Sequence, residues 1–235
     1  MDALPIAGSA ASASAVFLAW AVRGRSAAVF GESRWRGNPD RRAMALTFDD
    51  GPSESTPAIL DILAQYRVRA TFFQVGANVD RLPEIACSVA AAGHGIGNHS
   101  YTHPLFCFRS PAFIEADLRR AQQATRARTG VEPRWFRAPY GVRWFGMGRA
   151  QRRLSLTGVM WSTIGCDWKL NSAQVFERLA KGASNGAILC LHDGRGLQAR
   201  PDITATVEAV RRLVPALLEQ GYELQTLDEL LCPKS

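Results

Sequence analysis

The chain has 235 residues, 47% hydrophobic and 21% charged, an ordinary globular composition long enough for one domain with a sizeable core. Its net charge of +7 suits an anionic partner. Yet the 28 basic residues, nearly all arginine, are scattered and carry no nucleic-acid motif, which excludes nucleic acid. Five cysteines, odd in number, widely spaced and without a CxxC pair, argue against a disulfide framework and for a reducing compartment.

Residues 6–22 hold no charge and end in the apolar run Val16-Phe17-Leu18-Ala19-Trp20-Ala21-Val22, followed by Arg23 and Arg25. Seventeen residues lie at the lower limit for a membrane span, and a surface or core helix is the equal alternative. Asp2 precedes the stretch and the arginines follow it, the reverse of a secretory signal. An inserted segment would leave the remainder in the cytoplasm. The expected location is therefore cytoplasmic, or on the cytoplasmic face of a membrane held through this segment, with secreted or periplasmic as the alternative. Residues 24–42, rich in Gly, Pro and Arg, read as a linker or an irregular cover over the first strand. The expected organisation is an N-terminal segment and linker over 1–42 and one catalytic domain over 43–235.

From residue 43 the pattern alternates. Ala43-Met44-Ala45-Leu46-Thr47-Phe48 reads as a short buried strand that runs into Asp49-Asp50-Gly51-Pro52. A helix follows with Ile59, Leu60, Ile62, Leu63 and Tyr66 on its apolar face. The next strand, 70–76, is apolar on both faces, which points to a parallel sheet with helical crossovers. Further helices are predicted over 83–92, 111–128, 173–183 and 203–219, and further strands over 95–98, 135–139, 158–162, 187–191 and 223–227. About seven strands with helices between most of them give an α/β protein, and their number favours a somewhat irregular (β/α) barrel over a doubly wound sheet.

Active sites of both architectures form at the carboxyl ends of the strands. The polar residues found there are Asp49 and Asp50, then His99, Ser100 and His103, then Arg137, then Asp167 and Trp168, and finally His192 and Asp193. Two adjacent carboxylates beside an apolar strand repel and are desolvated. A bound cation or protonation of one relieves them, unless one merely caps the helix that begins near Ser55. If their turn is helical, His99 and His103 project from one side and share a metal, with Asp50 as the natural third ligand. Two imidazoles and one carboxylate suit one divalent transition ion, zinc first, with cobalt, nickel or manganese as alternatives, rather than magnesium. The other reading of the two histidines is packing and capping under a loop. His94, between two glycines at a strand entrance, reads as structural.

Thr47-Phe48-Asp49-Asp50-Gly51, His99-Ser100-Tyr101-Thr102-His103, Arg137-Ala138-Pro139-Tyr140, Asp167-Trp168 and Leu191-His192-Asp193 resemble, in order and spacing, the five motifs of the polysaccharide deacetylases, the NodB-homology domain of carbohydrate esterase family 4. The Arg137 and His192 motifs are especially similar to the chitooligosaccharide deacetylase branch. The resemblance implies a distorted (β/α) barrel of the NodB-homology type and a metal-dependent hydrolase. It implies that Asp49 is the general base, oriented by Arg137, and that Asp50, His99 and His103 hold the metal. His192 would be the general acid, tuned by Asp167, and the Tyr140 backbone N–H would serve the oxyanion. Trp168 would wall the substrate pocket and Leu191 would line the acetyl pocket. Two positions depart from the pattern: Ile164 stands where the family often has Asp, and Cys190 where a Leu two before the histidine is common.

The leading expectation is removal of N-acetyl groups from N-acetylglucosamine-containing oligo- or polysaccharides, of the chitooligosaccharide or peptidoglycan type. A second is deacylation or deformylation of a lipid-linked or nucleotide-derived amide. The cluster Arg143, Arg149, Arg152 and Arg153 would suit a phosphate on such a substrate, unless it is a solvated helix face. A silent sugar-binding module is the third, against which an intact Asp49 and His192 speak. Substrate contacts are expected from residues 106–111 and 195–201.

Overall fold

A computed structural model describes residues 4–232, with side chains from residue 14 onward; Asp2 lies outside the described residues. In chain order the elements are α1 (Leu4–Arg23), β1 (Ser33–Arg34), β2 (Ala43–Asp49), α2 (Thr56–Gln65), β3 (Thr71–Gln74), α3 (Gly76–Arg81), α4 (Pro83–Ala91), β4 (Gly95–Asn98) and α5 (Pro111–Thr129). They continue with β5 (Trp135–Phe136), α6 (Met147–Arg153), β6 (Thr157–Val159), β7 (Thr163–Ile164), α7 (Ser172–Gly182), β8 (Ile188–His192), α8 (Thr204–Glu219), β9 (Glu223–Leu224) and α9 (Leu227–Leu231).

The seven expected strands are present as β2, β3, β4, β5, β6, β8 and β9, and every ladder is parallel. β1 and β7 are not among them, for neither sits in an apolar run long enough to mark a strand. Nor are the short helices α3, α6 and α9 among the expected elements. The strand order is β1-β6-β5-β4-β3-β2-β8-β7, with β9 pairing the start of β2. Only residues 160–162 separate β6 from β7, which stand at or next to opposite ends of that order. The sheet must therefore curl until its ends meet, which makes it a distorted (β/α) barrel.

Period-two alternation in β2 explains the layering. Met44, Leu46 and Phe48 face outward into a core shared with Ile59 and Leu63 of α2, Val175 and Leu179 of α7 and Leu213 of α8. Ala43 and Ala45 face inward and leave room for Phe73, Trp135, Val159 and Ile188, with Leu227 and Leu230 of α9 packed into the same cluster. Burial of such side chains contributes about 1.5–3 kcal/mol each. Helix ends follow the sequence signals: Ser110 accepts from the Phe113 N–H at 3.2 Å with Pro111 at the first position, and Gly130 closes α5 at φ 73.

The segment 24–42 acts as cover. Arg34 O accepts from the Met160 N–H at 2.7 Å and Gly186 O from the Gly37 N–H at 2.8 Å, so this stretch reaches both β6 and the approach to β8. Arg143 is buried and donates to Ala27 O at 2.6 Å and to Gly24 O. Ahead of it, no described helix is long and apolar enough to cross a membrane.

Candidate active site

β2 carries Asp49 inward, where Arg137 Nη1 meets its Oδ1 at 2.7 Å. Arg137 is fully buried and its other donors are spent on Thr47 Oγ1 (2.8 Å), Val159 O (3.2 Å) and Met160 O (3.1 Å). Its guanidinium also lies 4.2 Å from the Phe73 ring centroid. A buried cation so fully satisfied is rigid, and its charge is directed at Asp49.

A continued strand would send Asp50 outward beside Phe48. Asp50 instead has φ 76, and its Oδ1 lies 3.2 Å from His99 Nε2 and 2.9 Å from His103 Nε2. Its other oxygen accepts from the Gly196 N–H at 2.9 Å. Gly194 is obligatory here, because a Cβ would sit 2.4 Å from Asp50 O. Burial opposes the charge on Asp50, but hydrogen bonds from His103 and His99 hold its carboxyl well below the usual range.

The histidine turn is not helical. Ser100 and His103 have φ 66 and 51, and the turn is held from outside. Asp117, buried on the apolar face of α5, accepts from the Tyr101 N–H (2.7 Å) and the Thr102 hydroxyl (2.6 Å). Asn98 Oδ1 accepts from the Ser100 N–H at 2.8 Å. His99 Nδ1–H donates to Arg137 O at 2.8 Å, which fixes the ring with Nε2 facing Asp50.

His192 ends β8. Its Nδ1 lies 2.8 Å from Asp167 Oδ1, while Asp167 Oδ2 accepts from the His192 backbone N–H (2.9 Å) and the Thr206 hydroxyl (2.5 Å). Burial opposes the charged imidazole, but the Asp167 carboxylate overcomes it and pushes His192 up to about 9. Asp167 is in turn lowered, against its own burial, by His192, Thr206 and Arg195. Trp168 packs edge-on against His192 with centroids 5.1 Å apart, and Tyr140 against His103 at 4.9 Å.

These residues meet in a cavity of about 770 Å³ lined by Asp49, Asp50, His99, His103, Tyr140, Trp168 and His192. Arg137 and Asp167 stand behind the wall. Leu191 does not line it: the side chain joins the outer core with Phe48, because alternation along β8 turns Cys190 and His192 inward instead. Cys190 therefore faces the base, with its thiol 3.4 Å from Asp49 Oδ2, and Ile164 takes a place on the cavity wall. Of the two loops expected to meet substrate, Arg195, Gly196, Leu197 and Gln198 reach the cavity and residues 106–111 do not. None of Arg143, Arg149, Arg152 and Arg153 reaches it; Arg153 pairs with Glu115 at 2.9 Å on the α6 surface. His94 is structural, accepting from the Ala70 N–H at 3.2 Å, and burial together with Arg69 lowers it to about 4. Neither Asp49 nor Asp50 caps α2. The carboxylate that reaches the α2 terminus is Asp193, which accepts from the Thr56 hydroxyl (2.7 Å) and the Gly51 N–H (3.1 Å). Burial pushes Asp193 up to about 7.

Among the described residues, two groups could hold a cation: Asp50 with His99 and His103, and Asp49 with Cys190 and His192. The first fits a transition ion, with one carboxylate oxygen between two imidazole nitrogens and the His99 ring fixed from behind by Arg137 O. The second does not. Burial raises the Cys190 thiol well above its usual range, and Arg137 already neutralises Asp49.

Residues 36–159 match the polysaccharide deacetylase family. The chain is 35% identical over 198 residues to a chitooligosaccharide deacetylase of Bradyrhizobium sp. (strain ANU 289), covering 80% of this chain and 90% of that one. It is 35% identical over 192 residues to the peptidoglycan-N-acetylglucosamine deacetylase PgdA of Listeria monocytogenes, covering 80% of this chain but 39% of that protein. Among solved structures, a CE4 family pseudoenzyme from Bacillus anthracis superposes with a TM-score of 0.78 at 29% identity, over 86% of this chain and 69% of that one. The strand order, the two carboxylates at the end of β2 and the paired histidines facing them leave one conclusion: this chain belongs to the polysaccharide deacetylase family, hydrolases of non-peptide carbon–nitrogen bonds.

Proposed function

We propose that the chain is a metal-dependent N-deacetylase of N-acetylglucosamine-containing oligo- or polysaccharides, of the chitooligosaccharide or peptidoglycan type, yielding acetate and a free amino sugar. One observation carries this reading. A carboxylate paired with a guanidinium and an imidazole paired with a carboxylate stand in one cleft with three metal-type ligands. A side-chain atom of Asp49 lies within 4.8 Å of one of His192. A protein of this fold that only bound sugar would have no use for a base and an acid so placed.

Asp50, His99 and His103 hold the ion, zinc first. Bound there, it would supply Lewis-acid chemistry, polarising the amide carbonyl and lowering the pKa of a water from about 16 towards about 7. Asp49, oriented by Arg137, accepts the proton of the attacking water. The Tyr140 backbone N–H, carried on the tight turn Pro139–Gly141, donates to the oxyanion. An amine leaves poorly unless protonated. His192, whose Nδ1–H is held by Asp167, delivers the proton from Nε2 to the departing nitrogen. Trp168 walls the cleft beside it.

The test is acetate release from chitooligosaccharides and peptidoglycan fragments, with and without a chelator. Release should stop with chelator and return with zinc, and Asp49→Asn or His192→Ala should each lower turnover by about 10²–10⁴-fold. Chelator-insensitive release, or none from either substrate, overturns the reading.

A further inference from the structure

One cation of the cleft has no part in the chemistry above. Arg23, the last residue of α1, lines the cavity together with Asp49, Asp50 and His192. Its neighbour there, Arg195, is committed to Gly194 O at 2.8 Å and Asp167 O at 3.0 Å. Among the described residues, the Arg23 side chain makes no hydrogen bond or ion pair. Its backbone is nonetheless fixed on both sides. Ala21 is buried, Val22 O accepts from the Arg143 N–H at 3.0 Å, and Gly24 O accepts from the Arg143 guanidinium. Two residues on, the Arg25 guanidinium donates to Ser162 O at the cleft edge.

The surroundings sharpen the point. Tyr140, Trp161 and Trp168 offer aromatic faces suited to sugar rings, and the carboxylates within reach are already paired: Asp49 with Arg137, Asp50 with two imidazoles. A guanidinium left without an acid partner beside a sugar-binding wall is placed to take one from the ligand. Arg23 also precedes residues 36–159, the stretch that matches the family, so the feature belongs to this chain's own N-terminal segment.

We propose that Arg23 is a specificity-determining residue that receives an anionic substituent, a carboxylate or a phosphate, on the saccharide whose acetamido group is cleaved. The proposal rests on the deacetylase reading and narrows its substrate to acidic N-acetylated saccharides. A last-turn cation also favours the helix dipole, so the test has to separate recognition from support of α1.

Three matched probes do so: chitotriose, its carboxymethyl ether and its 6-phosphate ester, each assayed for acetate release by the wild type, Arg23→Gln and Arg23→Glu. The wild type should prefer one or both acidic probes over chitotriose, and that preference should shrink between about 20 and 300 mM salt as screening grows. Arg23→Gln should lower the acidic-to-neutral ratio of kcat/KM by about three- to fivefold, as for an exposed charge pair. Arg23→Glu should lower it by about tenfold or more, while activity on chitotriose stays within about twofold of wild type. Loss confined to the ether assigns a carboxylate and loss confined to the phosphate ester assigns a phosphate. An equal fall on all three probes means support of α1 only, and an unchanged ratio removes Arg23 from recognition; either result overturns the proposal. If the wild type releases no acetate at all, the deacetylase reading fails on its own. Calorimetric titration of the same probes into wild type and Arg23→Glu then decides the Arg23 claim by the same ratio of affinities.

Discussion

Replacing Asp167 by Asn removes the charge that sets the acid. The amide oxygen can still accept from His192 Nδ1 where Asp167 accepts at 2.8 Å, while its NH2 takes the place of the oxygen that accepts from the His192 N–H and the Thr206 hydroxyl, so the negative charge goes together with those two bonds. His192 is raised from 6.5 to about 9 although burial alone would lower it. That rise corresponds to at most about 3 kcal/mol, discounted because 15% of the side chain is open to solvent. Without the charge, burial prevails and His192 titrates at or below its ordinary value. At pH 8 its cationic fraction then falls from about nine-tenths to about 3% or less. The alkaline limb of kcat/KM should move from near pH 9 to below about pH 7, with activity at pH 8 reduced about 30-fold or more and partly regained at pH 6. Stability follows the same groups. The raised His192 stabilises the fold fully below about 6.5 and loses that contribution as pH rises through about 9. The lowered Asp167 contributes above about 4 and loses it as pH falls below that. The difference in Tm between wild type and Asp167→Asn should therefore be largest between about pH 4 and 6.5 and fade above 9. An alkaline limb that stays near pH 9 in the variant would refute this account of the acid.

Asp117→Ala frees the Tyr101 and Thr102 donors that hold the histidine turn, and should weaken zinc binding by about 10–100-fold in a competitive chelator titration while the fold melts cooperatively; unchanged affinity would show the turn to be self-supporting. Arg143→Ala removes the clamp on Gly24 and Ala27 and should lower stability by about 2–3 kcal/mol in urea, with new protease cleavage within residues 24–36; a stability change within about 0.5 kcal/mol would mean that the segment is held elsewhere. All five cysteines are free and Cys190 is fully buried, so a thiol reagent should label four sites on the native protein and the fifth only on unfolding; rapid labelling of Cys190 would contradict the placement of its side chain against Asp49.

The titratable groups at the centre of the cleft were legible because they end or closely follow strands, and a parallel barrel brings strand ends together whatever the distance in sequence. Asp49, His99, Arg137 and His192 needed only that rule and their side-chain chemistry. Orientation at a strand end was harder. Leu191 and Cys190 are adjacent and both suited to a pocket by polarity, and only the register, with Leu191 opposite Phe48 and His192 opposite Asp49, decides which one turns inward. Asp117 left a faint trace, a carboxylate among Ile114, Leu118 and Ala121 on the buried stripe of α5, where an acid is tolerated only if donors come to meet it.

The cover over 24–42 was marked by its Gly, Pro and Arg content, but its hold on the barrel was not. That hold runs through backbone pairing with β6 and the approach to β8 and through carbonyls that one buried guanidinium reaches, and a backbone group has the same sequence signature everywhere. That same guanidinium ties the cover to the placement of Arg23. The arginines grouped by sequence as a possible anion site thus divide by position: Arg143 turns inward and fixes the segment, Arg153 pairs with Glu115 on the surface, and the cation that faces the cleft comes from a stretch that reads as a membrane or surface helix. Counting charges along the chain could not have separated them, because the free energy of a buried arginine is set by the acceptors around it and not by its neighbours in sequence.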